Sequence, residues 1–277
     1  MLRRILLPLE RRDDEAGAVE FARTLARRRP VELLLLRVEE LPLLGPFAVG
    51  FALVSRACNL ARLKARLDGD PGIRATVPLS DAVSAAAVAE QARRRAASLI
   101  VLPYHRESAW MRMMHGSSSD RILRESPVPV LAVPGPPRPV TRILYAYGEG
   151  EAALPGLRHA IDFAQLFEAQ IGLLKIQGPV PSPETGAPVR ERLLSILRRR
   201  EVPARVLPSA GDAVADVSTA VSREGIDLMV LSATHETEKA CTALARRVLQ
   251  TAPIPLLITR EGPVLSPLAG APLRVGI

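Results

Sequence analysis

The sequence is short of cysteine, aromatic residues, lysine and long apolar runs. Its two cysteines among 277 residues, Cys58 and Cys241, lie far apart and outside any CxxC pair. That spacing argues against a disulfide framework or a cysteine-held metal. Nine aromatic residues (five Phe, three Tyr and one Trp) leave little for stacking bases. No recognisable nucleic-acid module accompanies them, so no nucleic-acid partner is expected. No apolar run reaches the roughly 18 residues needed to span a bilayer. The longest candidate, Leu41 to Val54, contains two prolines and two glycines. Ile5 to Leu9 is too short for a signal-peptide core, and charge follows at once in Glu10-Arg11-Arg12. These absences lead to the expectation of a cytoplasmic chain with no membrane partner.

What is present is globular in character, with 48% apolar and 24% charged residues and a length that suggests two domains. The net charge of +8 is uneven. Residues 1–139 hold 22 Lys and Arg against 15 Asp and Glu, or +7, whereas residues 140–277 hold 15 against 14, or +1. Arginine supplies 34 of the 37 basic residues. Arg27-Arg28-Arg29 and Arg93-Arg94-Arg95 fall in the last turns of predicted helices, where they complement the helix dipole and read as solvated surface.

An internal repeat divides the chain. Arg4-Ile-Leu-Leu-Pro-Leu9 matches Arg142-Ile-Leu-Tyr-Ala-Tyr147, and each precedes an amphipathic stretch, from Ala18 and from Arg158. The apolar runs Val31 to Val38 and Gln170 to Ile176 come next. "DAVS" at Asp81 then matches "DAVA" at Asp212, and "SLIVL" (Ser98 to Leu102) matches "DLMVL" (Asp227 to Leu231). "RILRESPVPVLAV" from Arg121 matches "RVLQTAPIPLLIT" from Arg247. Six matches in one order imply a duplicated domain. The spacing gives a first domain over 1–134, a proline-rich linker over 135–141, a second domain over 142–260 and a tail over 261–277.

Short runs that are apolar along their whole length alternate with helical periods, the pattern of a parallel sheet covered on both faces. Strands are predicted near 4–9, 31–38, 73–78, 98–102 and 129–133, and helices near 14–28, 56–67, 81–95 and 116–125. Matching strands are predicted near 142–147, 170–176, 203–207, 227–231 and 254–259. The expected architecture is two doubly wound α/β domains, each with a five-stranded parallel sheet. Their similar last-strand edges, Pro129 to Val133 and Ile254 to Ile258, would cover each other in an intramolecular pseudo-dimer.

Open α/β sheets bind ligands where strand order reverses, beyond the carboxyl ends of the strands. Glu10-Arg11-Arg12, Pro103-Tyr104-His105-Arg106 and Gly116-Ser117-Ser118-Ser119 could all reach that end in the first half. The glycine-serine run could offer free N–H groups and hydroxyls to an anion, or act as an ordinary serine N-cap.

With these residues in view, the chain resembles the universal stress protein family, as a tandem, two-domain member. "RILLPLE", "SLIVLP" and "GSSSDRILRESPVPVLAV" carry the resemblance. It implies a Rossmann-like stress-response fold that pairs through its last strand. It also implies ATP, with Mg²⁺, bound through the pattern Gly-x2-Gly-x9-Gly-Ser/Thr beside an acidic residue closing the first strand. Gly116 and Ser117 match the final pair, and the nine-residue spacer runs from Glu107 to His115. Pro103 and Arg106 take the two earlier glycine positions, and Glu10 takes the acidic one. Proline and arginine forbid the close backbone approach that glycine allows, whereas the Arg106 guanidinium could reach a phosphate directly. The resemblance thus assigns nucleoside contact to Glu10 and phosphate contact to Arg106, Gly116, Ser117 and Ser118, in an altered site. In the second half Ser232, His235, Thr242-Ala243 and Tyr147 stand at the corresponding places, and no ATP is expected there.

His105, His115 and His235 lack metal-ligand spacing and read as loop histidines. Serines 117–119 lack a nucleophile-elbow context. Trp110, Met111, Met113 and Met114 could form a lid or a helix packed on its own sheet. Leu41 to Val54 could line a pocket, form an exposed patch or be buried between the halves. The function expected is ligand sensing or interaction with a protein partner, not turnover. The alternatives are a protein-interaction regulator that binds no nucleotide, or a slow ATPase.

Overall fold

The computed structural model describes residues 2–9, 16–38, 60–77, 85–104, 126, 128–136, 138–148, 153–176, 186–233, 238–252 and 254–260. The first half runs β1 (Arg4–Leu9), α1 (Ala16–Arg28), β2 (Glu32–Arg37), α2 (60–68), β3 (Arg74–Thr76), α3 (Ala85–Arg94), β4 (Leu99–Pro103) and β5 (Val130–Val133). The second runs β6 (Arg142–Tyr147), α4 (Ala153–Phe167), β7 (Gln170–Lys175), α5 (Gly186–Arg199), β8 (Ala204–Val206), α6 (Ala213–Glu224), β9 (Leu228–Ala233), α7 (Glu238–Thr251) and β10 (Leu256–Arg260). The predicted helix over 116–125 and the tail over 261–277 lie outside the described residues.

All ten strands form one sheet in the order β3-β2-β1-β4-β5-β10-β9-β6-β7-β8. Each half is a five-stranded parallel sheet with the doubly wound order, as the uniformly apolar strands predict. The two sheets meet edge to edge. β5 and β10 pair antiparallel through Leu131↔Leu257, Ala132↔Leu256 and Val130↔Ile258, so neither last strand is left with an open ladder.

The registers repeat between the halves. Ile5 pairs with Leu33 and Leu99, and Ile143 pairs with Ile171 and Leu228. β1 and β6 therefore correspond residue by residue, with Pro8 at the place of Ala146 and Leu7 at that of Tyr145. The amino ends of the sheets are fastened alike. Ser98 Oγ accepts from the backbone N–H groups of Arg3 and Arg4, at 2.9 and 3.2 Å. Asp227 Oδ2 accepts from those of Thr141 and Arg142, at 2.8 and 3.0 Å.

On one face of the sheet a single apolar cluster runs across both halves, from Phe21 and Leu25 on α1 to Phe163 and Phe167 on α4. The Phe21 and Phe167 rings meet edge to face with centroids 6.0 Å apart. Arg28 Nη1 donates to Leu166 O at 2.8 Å, and its guanidinium lies 5.1 Å from the Phe167 ring centre. This arginine is exposed, as its place on a solvated helix end predicts, and it also ties the two halves together. Such a cation–π contact contributes about 0.5–2 kcal/mol. On the other face the first half keeps one cluster of its own, and the second half's cluster takes in Ala132 and Tyr104 from the first.

Within the first half, α1 is held to the turn after α2. Arg23 Nη2 donates to Asp70 Oδ1 at 2.7 Å, Arg23 Nε pairs with Asp70 Oδ2, and Arg27 joins at 3.3 Å. The hydrogen bond from Arg23 lowers the Asp70 pKa to about 2.

Candidate functional site

Strand order reverses at β1/β4 in the first half and at β6/β9 in the second, which makes these the two places where a ligand could lie beyond the strand ends. They are built differently. In parallel strands alternate residues turn their N–H and C=O groups to opposite neighbours. Leu9 O accepts from Val38 N and Arg4 O from Ser98 N, so odd-numbered residues of β1 face β2 and even-numbered ones face β4. Pro8 therefore faces β4, and it has no N–H to give.

The β1–β4 register consists of Ile5↔Leu99 and Leu6↔Ile100, and it stops before Pro8. In the second half Arg142 O accepts from Asp227 N and Tyr147 O from Ile176 N, so Ala146 faces β9. There the register continues to Tyr145↔Val230 and Ala146↔Leu231. Ile100 N and Tyr104 N donate to β5, so Pro103 faces β1 and it too has no N–H, and the two prolines end the central ladder two residues early on the first half's ligand-binding side. Pro8 is not among the residues that the family resemblance marks as contacts. The signal was available, because proline inside a buried central strand has to be placed where a donor is not needed.

The second half's switch point is also filled. Tyr145 and Tyr147 are both buried and stack with ring centroids 6.3 Å apart. Burial raises both phenol pKa values, and the Leu157 backbone N–H donates to the Tyr145 hydroxyl. The start of α4 presses onto this pair through Gly156. A Cβ there would lie 2.5 Å from Ser232 Cβ and 2.9 Å from the Tyr145 hydroxyl. Ser232, at one of the early-glycine places, is packed against a helix.

Nor does the second half keep free N–H groups where the phosphate-binding pair would be. Thr242 and Ala243 lie inside α7, beyond its first four residues, where backbone donors are spent on intrahelical bonds. At α6 the N-cap Asp212 accepts from Val214 N at 2.9 Å and Ala215 N at 3.2 Å, and those bonds lower its pKa. Buried Asp216 holds the preceding loop, accepting from Ser209 Oγ at 2.8 Å and Ala210 N at 2.9 Å.

In the first half the described residues reach the edge of the site. Leu9 and Pro103 end the two strands and are buried. Glu10 follows Leu9 directly, and Arg106 is three residues beyond Pro103. Glu10, Arg106, Gly116, Ser117 and Ser118 all lie outside the described residues, as do His105, His115, His235, Trp110 to Met114 and Leu41 to Val54. Among the described residues no cluster of His, Cys, Asp and Glu could hold a metal ion, and no helix is long and apolar enough to cross a membrane.

The fold recurs in known proteins. Residues 1–134 match the universal stress protein family. The whole chain is similar in fold to a universal stress protein from Archaeoglobus fulgidus DSM 4304, at 15% identity and a TM-score of 0.74, covering 94% of this chain and 97% of that one. It is also similar to a protein of unknown function from Pseudomonas aeruginosa PAO1, at 18% identity and a TM-score of 0.62, covering 94% and 92%. The same fold occurs in the cytoplasmic domain of a prokaryotic cation chloride cotransporter, at 12% identity and a TM-score of 0.58, covering 93% and 95%. No curated protein matches the sequence.

Proposed function

We propose that the chain is a tandem universal stress protein whose first half binds a nucleotide, ATP with Mg²⁺, and whose second half has given up that role. It acts as a ligand-sensing or interaction module rather than a turnover enzyme. The observation that carries this reading is the early end of the β1–β4 ladder at Pro8, set against the continuous β6–β9 ladder and its buried tyrosines. Glu10 is the nucleoside contact, and Arg106, Gly116, Ser117 and Ser118 are the phosphate contacts. The family match over 1–134 supports the assignment to the first half.

Thermal unfolding with and without Mg-ATP tests it. A ligand at 100 times its Kd adds about 2.7 kcal/mol of stability, a rise of several degrees in Tm. The expected result is a rise that Gly116→Asp abolishes. No rise at millimolar Mg-ATP would overturn the nucleotide assignment and favour a protein partner at the same end of the sheet.

A further inference from the structure

Both strand exits that border the first half's switch point are held from outside that half's own sheet. At the exit of β4, Tyr104 is 4% exposed. It belongs to an apolar cluster whose other members, apart from Ala132, are second-half residues, including Leu244 and Val248 of α7 and Ile258 of β10. Its backbone is fixed too, because Tyr104 N donates to Val133 O at 2.9 Å. Leu102, two residues earlier on the same face, belongs instead to the first half's own cluster. Tyr104 is therefore where the chain crosses from one core to the other, and Arg106 follows two residues later.

The exit of β1 leads into α1, which is held at both ends. A Cβ on Gly17 would lie 2.0 Å from Gly135 O, so the helix start rests on the backbone that leaves β5. Further along, Phe21 meets Phe167, and Arg28 donates to Leu166 O on α4. The arrangement is one-sided at the fourth-strand exits. In the register of β4 and β9, the second-half counterpart of Tyr104 is Ala233, which has no side chain long enough to reach across.

We infer that the second half clamps the carboxyl end of the first half's sheet, through Tyr104 and α1, and so sets the affinity of the first half's site. Close-packed elements of this kind do not deform continuously, so the exits of β1 and β4 move only if the second half moves with them. Tyr104 and Phe167 are positioning residues in this scheme. The affinity part rests on the nucleotide reading above, whereas the clamp itself does not.

Hydrogen exchange on the full chain tests the clamp without ligand. Val248→Ala removes volume from α7, in the second half's core. It is expected to speed exchange at residues 101–104 about threefold or more, with β2 unchanged, as local opening confined to the clamped exit would. Tyr104→Ala should do the same more strongly, and Tyr104→Phe, which keeps the ring, should restore protection. Unchanged exchange at 101–104 in both Val248→Ala and Tyr104→Ala would overturn the clamp.

Titration with Mg-ATP then tests control of affinity. Tyr104→Ala and Phe167→Ala should each weaken Kd on the order of tenfold, within the usual range of coupling between sites, with Tyr104→Phe near wild type. Wild-type affinity in both alanine variants would overturn that control. Failure of the unmodified protein to bind Mg-ATP would overturn the nucleotide reading and with it the affinity part, while the exchange result still decides the clamp.

Discussion

The two switch points start from the same strands in the same register and end differently. At the amino ends, Ser98 and Asp227 fasten their neighbours in the same way. The residues that follow divide the halves. Pro8 denies β4 a donor where Ala146 gives one to β9, and Leu7 stands where Tyr145 fills the space beside Gly156. Two halves with the same sheet order can therefore differ at one end by a few side chains. The core is not where the difference lies, since Ile5, Leu6, Ile143 and Leu144 are equally buried.

The comparison can be broken most severely by giving the second half the first half's proline. Ala146→Pro removes a donor from the interior of a buried sheet and leaves a β9 carbonyl short of its partner. It should cost about 3 kcal/mol, near the top of the range for an unsatisfied buried group. Urea unfolding measures it, and a loss below about 1 kcal/mol would mean that the β6–β9 ladder contributes little there. Next in size is Gly156→Ala. Its new methyl meets the backbone-bound Ser232 Cβ, so overpacking should cost about 1–3 kcal/mol.

The converse change, Pro8→Ala, should leave stability within about 1 kcal/mol. A new ladder bond gains about 0.5–1.5 kcal/mol, while a looser unfolded chain offsets about 0.4–1 kcal/mol. Its effect should show elsewhere. The amide that the substitution introduces at position 8, facing β4, should be protected from exchange, and the rise in Tm with Mg-ATP should shrink. Equal nucleotide response in both proteins would mean that Pro8 does not shape the site.

The smallest effect separates the halves by pH. The folded pKa of Asp70, about 2, lies below its unfolded value, so its pairing with Arg23 stabilises the first half above about pH 4. That contribution is lost as pH falls from about 4 to 2. Asp70→Asn should flatten the stability profile in that window while leaving the profile at neutral pH parallel to wild type. An unaltered acid limb in Asp70→Asn would show that the pairing with Arg23 adds nothing.

The alternation of wholly apolar runs with helical periods determined the parallel sheets, since only strands covered on both faces read that way. The repeat determined that there would be two of them, and Asp212, in its "DAVA" repeat, announced a helix that it does cap. Pro8 was written in the sequence too, but which neighbour lost its donor depended on the direction in which each β1 residue faces, and that is set by pairing. The same holds for Arg28 and Tyr104. A run of arginines carries no mark of the aromatic ring 5.1 Å away on another helix. A tyrosine at a strand exit does not say whose core it enters. Local pattern is enough to determine strands and helices, because each depends on neighbours in sequence. The two ladder ends, the tyrosine-packed switch point and the seam between the halves depend on residues from different elements, as far apart as Arg28 and Leu166, and only the tertiary structure brought those together.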